Sequence, residues 1–493
     1  MKNVRKSLLF ACAVLVAAAA ASCGETPNTP TDGSGSPGQG SSSSVESSVP
    51  EETESVDYSI PEPDMTGLNF GGAEFAFFST GLEDLWAEKL TGETVNDAVF
   101  KRDSMIEDKL NVKITASVNE SYFPDEAVKL VTSGDTRYQV YRDTAVGFGD
   151  TVSYGIYIDM RQLPYCDFTQ TYWNPYALAS GSVYGKNFFM PSDFSHVTLS
   201  QAHCVYFNKR LMAEYDVENP YDLVDGNRWT IDNYLTMIRQ VSRDVNGDGE
   251  MGIQDHYGVL VRSGRRFGTF LDLYVGSGQH FTTTDESGVR ILDVDSDMTQ
   301  SIIDKISTVL KDRSVAFRSE DFEKEGMFGY EGFMNGHALF MHDSVGQLIY
   351  LREMEDDFGI LPNPKYDDSQ ENYAHRASPF SAMFAIPSTN EELEMTGAVM
   401  EYGSWLAHYT TIPAYYEITV KQKRTRDEKA MEMLDIIHDT IVFDFGDMFD
   451  GPNIANYMDA AYEGGSMTRG FDTSRKKVNK ALNRLCQKLN SLS

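Results

Sequence analysis

Residues 244–255 read Asp-Val-Asn-Gly-Asp-Gly-Glu-Met-Gly-Ile-Gln-Asp. Side-chain oxygens fall on alternate positions at Asp244, Asn246 and Asp248, the backbone carbonyl of Glu250 continues the series, and Asp255 closes the loop. Side chains two apart converge when a chain winds around a hard cation, and Gly249 supplies the sharp turn this requires, so the chemistry is that of a structural Ca2+ loop. Two departures argue against a regulatory hand: Asp replaces the bidentate Glu at the last position, and a strand-like 257–261 stands where a second helix would follow. A solvated acidic turn is the alternative. Two further carboxylates stand where apolar runs end: Asp143 in Arg142-Asp143-Thr144 after 138–141, and Asp343 in His342-Asp343-Ser344 after 338–341. Ligands of open α/β sheets lie beyond the carboxyl ends of the strands, so both are candidate ligand contacts; ordinary helix capping is the alternative for each.

The elements that position these groups follow from periodicity. Apolar residues at Val95, Val99, Ile106 and Leu110 predict a helix over 95–110, between a strand at 74–78 and another at 112–117. A helix at 125–132 and a strand at 138–142 come next, then a strand at 205–207, a helix at 208–215 and an amphipathic helix at 230–241 that Thr230 or Asp232 caps. Helices at 298–311, 344–354, 391–407 and 428–442, a strand at 338–341 and a basic closing helix at 477–489 complete the reading. Strands alternating with helices predict α/β architecture with a largely parallel, covered sheet.

The ends and the bulk composition limit the function classes. Lys2, Arg5 and Lys6 precede an apolar run at 8–21, too short to span a bilayer, and residues 1–22 are read as an export signal. Ala20-Ala21-Ser22-Cys23 resembles the lipobox of bacterial lipoproteins, which implies a lipid on Cys23; Ala20 departs from the usual leucine, so plain secretion stays open. Residues 23–65 hold that cysteine and a Ser/Gly/Pro-rich stretch that offers little apolar surface to offset ordering entropy, hence a tether. A net charge of −32 excludes nucleic acid and anionic lipid surfaces as partners and favours an uncharged or cationic ligand. Cys166, Cys204 and Cys486 are too few and scattered for a disulfide framework or zinc site; a Cys166–Cys204 bridge stays open. The globular remainder exceeds what one core organises, which predicts two lobes.

Four stretches together resemble the extracellular solute-binding proteins of bacterial ABC importers, the maltose-binding-like family 1 as found in Firmicutes. They are NDAVFKRDSMIEDKLNVKI (96–114), YFNKRLMAEYDVENPYDLVDGNRW (206–229), FMNGHALFM (333–341) and FGILPNPK (358–365). The resemblance implies a two-lobed periplasmic-binding-protein-like fold of type II, with discontinuous lobes joined by crossover strands and closing on a cleft. Lobe 1 is then 66–175 plus 370–412, and lobe 2 is 176–369 plus 413–493. It implies a monomeric binding protein, not an enzyme, anchored by lipid on the outer face of the cell membrane and delivering a sugar or oligosaccharide to permease subunits. Sugars present hydroxyl pairs to carboxylates and an apolar face to aromatic rings, which selects Asp143, Asp343, Trp173, Trp405 and Tyr415 as ligand-binding candidates. Arg376 joins them for an acidic group. Core packing or surface capping is the alternative for all of them. Two other functions stay open: a surface glycoside hydrolase with paired carboxylates, and a sensing or adhesive lipoprotein that kept the fold without a transporter.

Overall fold

The computed structural model describes residues 59–119, 121–262, 268–324, 326–421, 428–449 and 452–492. Two sheets organise it. The first has the order β12-β3-β1-β2, built from β1 (Ala73–Ser79), β2 (Val112–Val118), β3 (Val140–Thr144) and β12 (Ala382–Ala385). β1 runs parallel to β2 and β3, and β12 returns antiparallel beside β3. Between β1 and β2 lies α1 (Thr94–Leu110), whose entry is capped by the Glu93 carboxylate accepting from the Asn96 amide. Its exit turns on Asn111 in the left-handed region, at φ 49°, where asparagine is tolerated. The apolar stripe read from the sequence is the buried face, with Val99, Ile106 and Leu110 fully enclosed. Helix α2 (Phe123–Thr132) leads to β3, which ends two residues later than predicted, and α3 (Ala145–Thr151) leaves its carboxyl end. The α4 helix (Pro175–Gly181) follows.

The second sheet has the order β10-β4-β9-β5-β8. Its strands are β4 (His203–Asn208), β5 (Tyr257–Val261), β8 (Ala316–Arg318), β9 (Ala338–Ser344) and β10 (Phe358–Leu361). β5 is parallel to β8 and β9, whereas β4 is antiparallel to both of its neighbours. The helices over it are α5 (Ile231–Val241), capped by Thr230 as expected, α6 (Thr269–Gly276) and α7 (Ser296–Leu310). A short hairpin of β6 (Thr282–Thr284) and β7 (Arg290–Leu292) sits between α6 and α7. Continuous apolar runs such as Val205-Tyr206-Phe207 and Ala338-Leu339-Phe340-Met341 are buried throughout, as strands covered on both faces must be.

The chain then returns to the first sheet through β11 (His375–Arg376) and β12, and α8 (Leu393–Tyr409) and α9 (Thr411–Lys421) both pack on α1. α10 (Glu428–Asp439) packs on β10 of the second sheet, and β13 (Ile441–Val442) pairs with β11. The last helices are α11 (Phe445–Met448), α12 (Ile454–Gly464) and α13 (Arg475–Asn490). A core of Phe75, Phe77, Ile106, Phe194, Phe384 and Leu406 fills the first sheet's helix-covered side. The second core continues from the second sheet across the junction to Phe148 and Tyr141.

Candidate functional site

Strands β3 and β9 end alike, in Asp143-Thr144 and Asp343-Ser344, and each enters a helical turn. Both ends are stitched to the same two crossing segments. Residues 193–202 and 375–381 lie side by side through the bridge Ala202↔Ala377 and the bond from the Ser378 amide to the Gln201 carbonyl (3.0 Å). The Ala145 amide, just past β3, donates to the Ser381 carbonyl (3.1 Å), and the Val345 amide, just past β9, donates to the Ala202 carbonyl (2.8 Å). The carboxyl ends of the two sheets therefore meet at one junction, the position at which open α/β sheets hold ligands.

At that junction Asp143 is buried, and burial pushes its carboxyl up to about 7 against the opposing pull of the Thr144 amide and Arg142. Asp343 accepts from the Ser344 amide (2.7 Å) and from Nη1 of the partly exposed Arg262 (2.9 Å). Beneath lies a buried polar cluster. Arg376 grips Asp447 with Nε (2.6 Å) and Nη2 (3.0 Å), in the bidentate geometry that a guanidinium fork favours. Its Nη1 is 3.9 Å from Asp272, whose other close partners are His203 Nδ1 at 2.9 Å and His342 Nδ1 at 4.0 Å. Burial works to raise the Asp272 carboxyl, yet His203, Arg376 and His342 outweigh it and hold the group below its ordinary range. Burial lowers His342 to about 4, so it is neutral at pH 7 and pairs with the Tyr234 hydroxyl at 2.8 Å. The junction thus gathers buried carboxyl groups with the guanidinium groups of Arg142, Arg262 and Arg376.

Arg376, Asp143 and Asp343 are brought to this junction, and Tyr415 reaches its edge with one face stacked on His196 at 4.7 Å. Trp173, Trp405 and Arg376 are not available to a ligand, a correction to the sequence reading, Arg376 because it is buried and held by Asp447. Trp173 is fully buried and donates its indole N–H to Glu401 (2.7 Å), and Trp405 is buried against Tyr402 and donates to the Ile60 carbonyl (3.0 Å). Asp272 and Asp447 escaped the sequence reading. The signal for Asp272 was present: it is the lone charge in Thr269–Gly276, a helix whose every residue is buried.

The loop 244–255 folds into a series of carboxylate-capped turns. Asp244 accepts from the Gly247 (2.7 Å) and Gly249 (2.9 Å) amides, Asp248 from Glu250 (2.8 Å), and Asp255 from Val245 (2.9 Å) and Gly252 (2.7 Å). Asn246 accepts from the Asp248 amide (2.9 Å). Gly249 adopts φ 86°, the turn that position requires. Asp244, Asp248 and Asp255 do not bring one oxygen each within the mutual 4.8 Å that a shared ion implies; among the described residues only Asp193, His408 and His438 meet that closeness. Cys166, Cys204 and Cys486 are free thiols, so Cys166 and Cys204 are not bridged, and Cys23 lies outside the described residues. Among the described residues no helix is long and apolar enough to cross a membrane.

No family model and no curated protein matches the sequence. Solved structures match the fold over nearly their whole length. A sugar transporter of Rhizobium etli in an open conformation aligns with TM-score 0.57 at 14% identity, over 86% of this chain and 100% of that one. The cyclic α-maltosyl-1,6-maltose binding protein of Arthrobacter globiformis gives 0.56 at 15%, over 85% and 100%. The GacH receptor of Streptomyces glaucescens, solved unliganded and with acarbose, gives 0.51 at 14%, over 84% and 99%. The two sheets are accordingly the halves of the two-lobed periplasmic-binding-protein fold.

Proposed function

We propose that this chain captures a small carbohydrate, a sugar or oligosaccharide, between its lobes and delivers it to the permease subunits of an ABC importer, as a monomer held on the outer face of the cell membrane by a lipid on Cys23. The observation that carries this reading is the correspondence of fold across 84–86% of this chain with a sugar transporter, a cyclic α-maltosyl-1,6-maltose binding protein and a receptor solved with acarbose. The junction supports it, because Asp343 suits a hydroxyl donor, and the charge of −32 disfavours anionic solutes. The test is a thermal-shift screen of residues 59–493 against mono- and oligosaccharides. A solute present at a hundred times its Kd stabilises by about 2.7 kcal/mol and raises melting by a few degrees. A panel of maltose-type and other oligosaccharides that all fail to shift melting would sink the proposal.

The hydrolytic alternative has one observation in its favour, the raised pKa of Asp143, since a glycosidase needs a general acid that keeps its proton near neutrality. Chromatography of any stabilising oligosaccharide after prolonged incubation decides between the two: intact sugar supports binding, and shorter products support hydrolysis.

A structural Ca2+ in the loop 244–255 is part of the proposal. Its support is the ordered alternation of oxygens and the positive φ of Gly249. Millimolar Ca2+ is expected to raise the melting temperature relative to EDTA, and the double variant Asp244→Ala/Asp248→Ala to abolish the difference; equal melting with and without Ca2+ removes the ion from the account.

A further inference from the structure

Three side chains outside the junction just described converge from three elements. Asp193 lies at the start of the crossing segment, its amide donating to the Tyr172 carbonyl at 2.9 Å. His408 occupies the last turn of α8, and His438 the last turn of α10. One carboxylate oxygen of Asp193 lies 2.7 Å from His408 Nδ1 and the other 3.1 Å from His438 Nε2, and one ligand atom from each residue falls within 4.8 Å of the others. We propose that Asp193, His408 and His438 bind a divalent transition-metal ion of the zinc type.

The donor set selects the metal. Two imidazole nitrogens and one carboxylate suit Zn2+, Co2+ or Ni2+, whereas Ca2+ and Mg2+ require oxygen ligands. Tetrahedral ligands about 2.1 Å from zinc stand roughly 3.4 Å from each other, so an ion enters with the present donor–acceptor separations widening by about half an ångström. The outer shell is already placed: His438 Nδ1 lies 3.0 Å from Asp439 Oδ1, as in a carboxylate–histidine–metal relay, and Nε2 is aimed at Asp193, whose hydrogen bond an incoming ion would replace. A cavity of about 10 Å³, lined by Asp193 and His438 together with Thr171, Tyr172 and Thr198, adjoins the cluster. That is room for about one water, the usual fourth ligand where a protein supplies three.

The position gives the ion a structural consequence. Helix α8 packs on α1 of the first lobe, and α10 packs on β10 of the second. An ion held by His408 and His438 ties these helices together beside the crossing segment and stiffens the hinge.

Chelator-treated protein titrated with Co2+ provides the test, because a four-coordinate His2Asp site gives visible d–d absorption. The expected result is saturation at one Co2+ per chain, displacement by Zn2+, and affinity at least tenfold weaker in His408→Gln and Asp193→Asn. The loop variant Asp244→Ala/Asp248→Ala retains the band. Zn2+ raises the melting temperature of the unsubstituted chain and not that of His408→Gln. His408 is partly exposed, so that variant keeps the fold and decides the matter even where Asp193→Asn does not. Absence of a visible band, or a band of equal affinity in His408→Gln, overturns the proposal and leaves the cluster as an ion-paired triad.

Discussion

Asp143 shows how a buried carboxyl stores free energy in its protonation state. Its folded-state pKa, about 7, stands above the ordinary 3.8 because burial penalises the carboxylate more than the Thr144 amide and Arg142 stabilise it. A folded pKa raised above the unfolded one means that the contribution of the protonated form is complete below about 3.8 and is lost as pH rises through about 7. Asp143→Asn removes the titration. The variant is expected to match the unsubstituted chain near pH 4 and to exceed it at pH 8 by about 2–4 kcal/mol, measured by urea unfolding at both pH values. The same change fixes a donor where the carboxyl, with a pKa of about 7, has lost its proton above neutrality, so solute affinity at pH 8 should fall by tenfold or more even as stability rises. A pH-independent difference between the two proteins would show that Asp143 is not desolvated as described.

At the scale of elements, the first lobe depends on how closely α8 approaches the chain ahead of Trp173. A Cβ on Gly397 would lie 2.0 Å from the Pro164 carbonyl oxygen, so the helix can seat only with glycine there. One turn further on, buried Glu401 accepts from the Tyr172 hydroxyl (2.6 Å) and the Trp173 indole (2.7 Å). Gly397→Ala is expected to push α8 outward, strain both bonds and destabilise by about 2–4 kcal/mol in a denaturant titration, well beyond a change in helix propensity, which alone would favour alanine by about 1 kcal/mol. An alanine variant as stable as the parent would mean that α8 does not pack as described. This contact also marks where sequence reading stopped. The stripe of α1, the buried runs of β4 and β9, the Thr230 cap and the paired Asp-Thr and Asp-Ser strand ends were all legible, because each is a local pattern with a local cause. Trp173 and Trp405 were misjudged as cleft residues because amphipathic rings look the same whether their N–H meets Glu401, a backbone carbonyl or a guest. The short strand β8, paired with β5, and the grouping of Asp193 with His408 and His438, more than two hundred residues away, rest on contacts distant in sequence and carry no periodic signal.

At the scale of the molecule, the crossing segments are not the only ties to both sheets, since residues 153–190, divided at 175 by the sequence reading, are bonded to each. Buried Arg290 of β7 donates from Nη2 to the Ala179 (2.6 Å) and Ser182 (3.1 Å) carbonyls at the end of α4, and the Tyr184 amide donates to the Gly288 carbonyl (2.9 Å). Lys488 of α13 reaches Ser153 at 3.2 Å, and Phe449, just past α11, packs on Phe189 at 5.4 Å. Segments 153–190, bonded to the first sheet through Met190 and Phe384, are thereby held by elements that belong with the second sheet. Bonds formed in this arrangement favour it over any other, and a solute's apparent affinity scales with the fraction of chains in the arrangement that binds it. Removing a guanidinium that serves two carbonyls forfeits about 2–3 kcal/mol, a shift of about thirty- to one-hundred-and-fifty-fold in the equilibrium between lobe arrangements. Arg290→Ala is therefore expected to enlarge the radius of gyration of the solute-free protein in X-ray scattering and to weaken solute binding by a comparable factor. At saturating solute its scattering curve should superimpose on that of the unsubstituted chain, since the guest then supplies the closing energy. Identical curves without solute, together with unchanged affinity, would place the hinge equilibrium under the control of the crossing segments alone.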